Sequence, residues 1–268
     1  MKHESIELLS RYRKIDTANQ PGNEARGVDF FTEILDREEI SYKIYEPSPG
    51  RCSLRAVIPG TDEKGPVILL NHIDVVPAKA DQWSSNPFGG EVKNGYIHGR
   101  GALDMKGQGI MEFLAFLEIW RKRLSQVRDI IFLAVADEET DGTCGVRHLV
   151  EKHPDDFNAD LVLNEGGYLT NELLPNRQVF MVSTAEKGAC WLRLKISGPP
   201  GHGSLPHGNN ASDSRFFREN GIVAYGVNPS LLSSDDLKMF HGNNEKISEE
   251  NMIKGTKVYS LIVKALCL

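Results

Sequence analysis

Four acidic side chains lie almost side by side directly after an apolar run of the sequence. Residues 129–136 read DIIFLAVA, and they are followed by Asp137, Glu138, Glu139 and Asp141. Like charges at the end of a buried strand repel one another and resist desolvation, so they need solvent or a cation among them. Taken alone, the acids are most simply interpreted as a solvated turn, because charged residues are mostly exposed. The alternative is a metal site or a general acid/base pair.

Further potential metal ligands follow other apolar runs. His72 and Asp74 end the run VILLNHID, Glu165 follows LVLN, and Asp104 precedes a stretch with helical spacing. Each alone has a simpler interpretation, as a core histidine, a turn acid or a helix N-cap. In an open parallel sheet, however, ligands bind beyond the carboxyl ends of the strands. The convergence of these residues on one predicted edge favours a metal site.

Imidazole and carboxylate ligands without paired thiolates suit zinc, with cobalt or manganese as alternatives. Two such ions about 3.5–4 Å apart need a shared carboxylate, and Asp104 is the expected bridge. His72 and Asp74 are two residues apart on an extended segment and face the same way, so Asp74 is expected to support the imidazole. Adjacent strand residues face different sides, so one of Glu138 and Glu139 should bind metal. The other would stay free as general base for a metal-activated water.

The elements that must position these residues alternate along the chain. Helical spacing predicts helices at residues 3–14 and 25–38, in the stretch that begins MKGQG, around CGVRHLVEKH and near the C-terminus. Strands are predicted at SLRAVIPG, GPVILLNHIDVVP, DIIFLAVA and ADLVLNEGG, with a hairpin that turns at Asn94-Gly95. This order predicts an α/β fold with a mostly parallel, doubly wound sheet flanked by helices. From Gln178 to Gly198 the pattern changes to two adjoining strands, typical of the start of a small second domain.

The bulk composition is that of an ordinary globular protein. The chain has 268 residues, of which 40% are hydrophobic and 25% charged, which predicts one or two domains with a sizeable core. The net charge of −6 is spread without long runs, which argues against binding to nucleic acid or to a membrane surface. No stretch is of membrane-spanning or signal-peptide character, so a cytoplasmic location is expected.

The cysteines are scattered and form no CxxC pair; they are Cys52, Cys144, Cys190 and Cys267. They are expected to be reduced packing residues. Cys144 alone lies near the acidic cluster. A cysteine hydrolase that uses it is a minor alternative, because no histidine is placed to pair with it.

Four segments resemble, in order and spacing, the signature segments of one hydrolase family. They are NHIDVVPA, GRGALDMKGQG, ADEETDG and LVLNEGG. The family is that of the co-catalytic zinc aminopeptidase-fold hydrolases, which includes carboxypeptidase G, carboxypeptidase S, acetylornithine deacetylase, succinyl-diaminopimelate desuccinylase and aminoacylase. PGNE, GHGSLPHG, SDSRFFRENGI and HGNNEKIS also resemble this family. The resemblance covers nearly the whole chain.

The resemblance implies a role for each candidate residue. The implied metal ligands are His72 and Glu165 at one ion, Glu139 at the other, Asp104 at both, and His241 as the last ligand. Glu138 would be the general acid/base and Asp74 the support of His72. His241 rests on the resemblance alone, because the residues themselves do not distinguish it from His98 or His207. A cis peptide bond between Asp104 and Met105 is also implied.

One departure from the family concerns its lid. Family members carry a long inserted lid or dimerisation domain, whereas here NNAS runs directly into DSRFFREN. The predicted domains are therefore a catalytic domain of residues 1–184 and 213–268, and a lid remnant of residues 185–212. In the family the histidine of the GHGS loop, here His202, helps to stabilise the tetrahedral intermediate in the partner subunit. Family members are homodimers through the lid, so a monomer is expected here.

The combined prediction is a dinuclear, zinc-type metallopeptidase or amidohydrolase. It would cleave an amide bond of a small peptide or N-acyl amino acid, with Glu138 as general base. Glu at position 165 is closer to the carboxypeptidase, desuccinylase and aminoacylase branches than to acetylornithine deacetylase. The rival prediction is a lid-deficient, catalytically impaired metal-binding domain of the same family.

Overall fold

The computed structural model describes residues 2–61, 64–185 and 213–268. Along these residues the strands are β1 (Tyr42–Ser48), β2 (Arg51–Ile58), β3 (Val67–His72), β4 (Val92–Lys93), β5 (Tyr96–His98), β6 (Ile130–Val135), β7 (Leu161–Asn164), β8 (Leu169–Leu174), β9 (Arg177–Phe180), β10 (Val223–Gly226) and β11 (Lys246–Ser248). The α-helices are α1 (Lys2–Arg13), α2 (Ala25–Arg37), α3 (Lys106–Arg121), α4 (Val146–Lys152), α5 (Ser214–Glu219), α6 (Ser234–Leu237) and α7 (Glu249–Cys267). The helices and strands predicted before residue 165 match these bounds to within a few residues.

A six-stranded sheet lies at the centre of the fold, in the order β1-β2-β6-β3-β7-β10. Strands β6, β3, β7 and β10 run parallel. At one side, β2 pairs antiparallel with β6 and with the edge strand β1. Every residue of β3 and β6 is buried, as expected of apolar runs covered on both faces. The prediction of a mostly parallel sheet is confirmed. Because β3, β6 and β7 run in one direction, their carboxyl ends meet at one edge.

Helices cover both faces of this sheet. On one face, Phe132 of β6 contacts Phe31 of α2 and Phe113 of α3, with ring centroids 5.1 and 4.8 Å apart. Helix α3 is buried along its length and contacts α1 and α7 as well as the sheet. On the other face, Leu133 and its neighbours pack into a second cluster that includes Phe217 of α5. Successive side chains of β6 therefore point into two different cores, one on each face of the sheet. This is the predicted doubly wound arrangement.

A small three-stranded sheet, in the order β11-β5-β4, lies beside the main sheet. Strands β4 and β5 form the predicted hairpin, and its turn residues Asn94 and Gly95 have φ of 53° and 77°. Both values lie in the left-handed region that this type of two-residue turn requires. The addition of β11 brings a segment from late in the chain next to β5.

The first of the two strands predicted from Gln178 onward overlaps β9, whereas β8 is an additional strand. Strand β9 pairs with β8, which precedes it, in a hairpin whose turn residue Asn176 has φ of 57°. Most of β8 is exposed and lacks apolar alternation, which is why the sequence gives little sign of it. The remainder of the predicted pair, and nearly all of the predicted lid remnant at residues 185–212, lie outside the described residues. Among the described helices, none is long and apolar enough to cross a membrane.

Phe132 offers a direct test of this core. Phe132→Ala removes a fully buried ring that contacts other rings, so it should lower the free energy of unfolding by about 3–5 kcal/mol. Phe180→Ala is the matched control, because this ring is 40% exposed, and it should cost about 1 kcal/mol or less. Urea unfolding of the two variants measures both effects. Equal losses would contradict the placement of the core.

Candidate metal centre

His72 ends β3 at the edge where the parallel strands finish, and its side chain is buried. Its Nε2 atom lies 3.1 Å from Oδ1 of Asp104 and 3.9 Å from Oε1 of Glu165. Glu165 directly follows β7, the neighbour of β3 in the sheet. The parallel register therefore brings together two residues that the sequence placed at strand ends.

Asp104 lies between two histidines. While its Oδ1 atom faces His72, its Oδ2 atom lies 3.0 Å from Nε2 of His241. The same Nε2 atom is 3.0 Å from Oε2 of Glu139, which follows β6. The buried carboxylate of Asp104 thus lies between two pairs of side chains, His72 with Glu165 and His241 with Glu139. This is the arrangement expected of a bridging ligand.

Glu138 and Glu139 point to different groups, as expected for neighbours at the end of a strand. Potential ligand atoms of His72, Glu138 and Glu165 lie within 4.8 Å of one another, and so do those of His72, Asp104 and Glu139. Of the two glutamates, Glu139 makes the close contact with His241. The two carboxylates therefore differ in their neighbours, although both lie near His72.

Asp74 supports this cluster in a way that differs from the expected one. The closest group to Nδ1 of His72 is the backbone oxygen of Asp74, at 2.9 Å, whereas Oδ1 of its carboxylate is 3.6 Å away. The carboxylate instead accepts hydrogen bonds from the backbone N–H groups of Glu138 (3.2 Å) and Glu139 (3.1 Å). Asp74 therefore holds the imidazole with its carbonyl group and the glutamate pair with its side chain.

Asp137 has a structural role that the sequence did not reveal. Its carboxylate accepts hydrogen bonds from Nη2 of Arg51 (2.7 Å), Nδ2 of Asn19 (3.1 Å) and the backbone N–H of Cys144 (2.9 Å). Burial opposes ionisation of Asp137, but these hydrogen bonds prevail and lower its pKa. Its φ of 70° turns the chain directly after β6. Asp137 thus fixes the turn from which Glu138 and Glu139 project.

Arg51 and Asn19 connect this turn to the rest of the fold. Arg51 also forms a two-point ion pair with the buried carboxylate of Glu24, at 2.8 and 2.9 Å. Nδ2 of Asn19 donates to Asp74 at 2.9 Å as well as to Asp137. These residues lie far from the acidic stretch in sequence and carry no periodic signal, so only their spatial proximity identifies them. Asp141, by contrast, is exposed and caps its own turn through the backbone N–H of Thr143.

The electrostatics of the cluster show an excess of negative charge. Burial would lower the pKa of His241, but the charges of Glu139 and Asp104 prevail and raise it to about 11. Burial, and next the charge of Glu165, raise the pKa of Glu138 well above its usual range. Burial and the charge of Asp104 do the same to Glu165. Raised pKa values on the carboxyl groups and on the imidazole are the response to several acids packed close together, and a cation among them would relieve this repulsion. The donor set of imidazole nitrogens and carboxylate oxygens therefore fits divalent zinc, cobalt or manganese.

The remaining predictions concern one peptide bond, three histidines and one cysteine. The bond between Asp104 and Met105 is cis, as the resemblance implies. His98 lies in β5, where it pairs with Lys246 of β11, while His202 and His207 lie outside the described residues. Burial and the charge of Asp137 raise the pKa of the Cys144 thiol, which disfavours the reactive thiolate.

Comparisons with known proteins show which family this chain resembles. The model of peptidase family M20/M25/M40 matches residues 68–182, which contain four of the five proposed ligands. Aminoacylase-1 of Sus scrofa is 31% identical over 254 residues, covering 90% of this chain and 61% of the relative. An N-fatty-acyl-amino acid synthase/hydrolase, PM20D1 of Xenopus tropicalis, is 39% identical over 147 residues, covering 53% of this chain and 28% of the relative. The chain thus spans at most about three fifths of the length of these relatives.

Solved structures show the same fold. An M20 family metallo-carboxypeptidase of Sulfolobus solfataricus superposes with a TM-score of 0.59 at 23% identity, covering 69% of this chain and 41% of that one. A tripeptidase of Staphylococcus aureus superposes with a TM-score of 0.64 at 13% identity, and the match covers 98% of both chains. Together with the family model and the curated relatives, these similarities confirm the resemblance found in the four sequence segments. Residues 68–182 match peptidase family M20/M25/M40, and the chain resembles members of that family over most of its length.

Proposed function

We propose that this chain is the catalytic part of a metal-dependent hydrolase that cleaves an amide bond of a small peptide or N-acyl amino acid. The observation that carries the proposal is the Asp104 carboxylate, whose two oxygens face two different imidazoles at 3.1 and 3.0 Å. The position of the cluster, beyond the carboxyl ends of parallel strands, is where open α/β sheets bind their ligands.

Two divalent ions, zinc in the first instance, would share Asp104. His72 and Glu165 would complete one site, and Glu139 and His241 the other. When bound, such ions lower the pKa of a coordinated water and polarise a carbonyl group. The protein holds the ligand atoms in place beforehand, through the carbonyl group of Asp74 on His72 and its carboxylate on the glutamate pair.

Glu138 is the proposed general acid/base. It lies within reach of His72 and Glu165 but does not share the close contact of Glu139 with His241. Its half-buried carboxyl has a raised pKa, which suits a group that takes a proton from water and returns it to the leaving amine. The backbone hydrogen bond from Glu138 to Asp74 fixes its position relative to His72.

The substrate class is supported by the relatives. Their names describe an aminoacylase and an N-fatty-acyl-amino acid synthase/hydrolase, and the structural neighbours are peptidases. All of these names refer to an amide bond next to an amino acid. We extend that bond type, and no particular side chain or acyl group, to this chain. The domain division, with residues 185–212 as a lid remnant, the monomeric state and a contribution from His202 stay predictions.

A second candidate is a metal-binding domain with impaired catalysis. It is favoured by one observation, namely that NNAS runs directly into DSRFFREN where the family that this chain resembles carries a long lid. If the part that grips the substrate is reduced, metal would bind without efficient turnover.

Hydrolysis with controlled metal content separates these candidates. The chain loaded with zinc or cobalt is expected to release free amine from N-acyl amino acids or dipeptides, because Glu138 would take the proton of a water that bound ions make more acidic. Removal of the ions with a chelator should abolish hydrolysis, and added metal should restore it. Two bound ions per chain without hydrolysis would support the impaired domain, whereas failure to bind metal would refute both candidates.

The division of labour between the adjacent glutamates is a second test. Glu138→Gln should keep both ions and lower kcat by about 10²–10⁴-fold, since it removes only the proton carrier. Glu139→Gln should lose metal affinity, because it removes a proposed ligand. Ion content by mass spectrometry and turnover at saturating metal measure the two effects. Asp141→Asn is the control from the same acidic stretch; its side chain is exposed, so both properties should stay unchanged. Equal metal loss in the two glutamate variants would refute the assignment.

A further inference from the structure

Two proposed ligands come from distant parts of the chain, and one strand pair brings them together. Asp104 follows β5, while His241 precedes β11, and these strands pair antiparallel with Lys246 opposite His98. At the end of this pair, the backbone N–H of Gly99 donates to the backbone oxygen of Glu245 at 2.6 Å. The register therefore places Glu245 beside the loop that carries Asp104.

The Glu245 side chain is fully buried, and both of its oxygens accept hydrogen bonds from this loop. Oε1 accepts from the backbone N–H groups of Leu103 (2.7 Å) and Asp104 (3.2 Å). Oε2 accepts from the backbone N–H of Gly101 (3.2 Å) and from Nη1 of Arg100 (2.6 Å). One carboxylate thus fixes the backbone of the proposed bridging ligand.

Arg100 extends this contact to the segment of His241. Its Nη2 atom donates to the backbone oxygen of His241 at 3.2 Å, while Nη1 is held by Glu245. The guanidinium lies over the ring of Trp83, 5.2 Å from the ring centroid, which restricts its orientation. His241 has φ of 55°, a conformation that residues other than glycine adopt rarely and that its surroundings must support.

We propose that Glu245, acting with Arg100, is a positioning residue that sets the distance between Asp104 and His241 and so the affinity of the metal site that they form with Glu139. The inference rests on the proposed function. Glu245 contacts neither imidazole; its effect on the site passes through the backbone of Asp104 and through Arg100. A carboxylate suits this role because it only accepts hydrogen bonds, whereas an amide would turn two N–H donors toward the donors of the loop.

The test is a titration of the metal-free protein with Co²⁺, followed by visible absorption and by competition with a chelator. In Glu245→Gln, the site that Asp104 forms with His241 and Glu139 should bind about 10–100-fold more weakly, the usual effect of losing a group that orients ligands. The site of His72 and Glu165, which shares only Asp104 with it, should weaken less. The absorption of the remaining complex should match that of His241→Ala. Glu118→Gln is the matched control: this buried carboxylate pairs with Lys122 and Lys264 at the far end of α3, and both sites should keep their affinity.

Arg100→Lys keeps the proposal testable if Glu245→Gln does not fold. A lysine retains the positive charge, but it lacks the planar fork that reaches Glu245 and His241 together, so the same site should weaken. Thermal unfolding of the metal-free variants is recorded separately. A lower midpoint with unchanged affinity at both sites would mean a merely structural role and would overturn the inference, as would equal weakening of both sites. If wild-type protein binds fewer than two ions, the proposed function fails instead.

Discussion

Mutual repulsion among buried and half-buried carboxylates is the constraint on which the rest of this structure depends. Asp104, Glu138, Glu139 and Glu165 converge at one sheet edge, where restricted solvent access makes each charge costly. The imidazoles of His72 and His241 lie among them and offset part of this charge. Asp74 receives backbone and amide N–H groups, and Asp137 receives Arg51. The supporting acids are thus held by the protein itself, and the excess of carboxylates over imidazoles lies where two divalent ions are proposed to bind.

The architecture explains how so many acids can be held together. Strands β3, β6 and β7 are apolar up to their last one or two residues, so the sheet is stabilised by its two cores, while the polar residues begin where the strands end. The pairing of β5 with β11 brings the segments of Asp104 and His241 together. Segments anchored to such rigid elements keep ligand atoms within about 0.5 Å of a productive geometry more easily than loops alone would.

Much of this could be predicted from the sequence, because it depends on local periodicity. The helix and strand patterns predict the parallel sheet. The parallel sheet in turn predicts that His72, Glu139 and Glu165, which follow three of its strands, lie close together. His241 could not be chosen from the residues alone, since its place depends on the pairing of β11 with β5, a contact between distant segments. Arg51 and Glu245 were missed for the same reason: a buried charge that pairs across the fold looks, in sequence, like any surface residue. Strand β8 could not be predicted, because most of its residues are exposed and show no apolar alternation.

The most direct test of the central claim is a crystal structure of the cobalt-loaded chain with anomalous scattering. The account predicts two ions about 3.5–4 Å apart. Asp104 would contribute one oxygen to each ion, and Glu138 would bind neither. A single ion, or two ions without Asp104 between them, would contradict it.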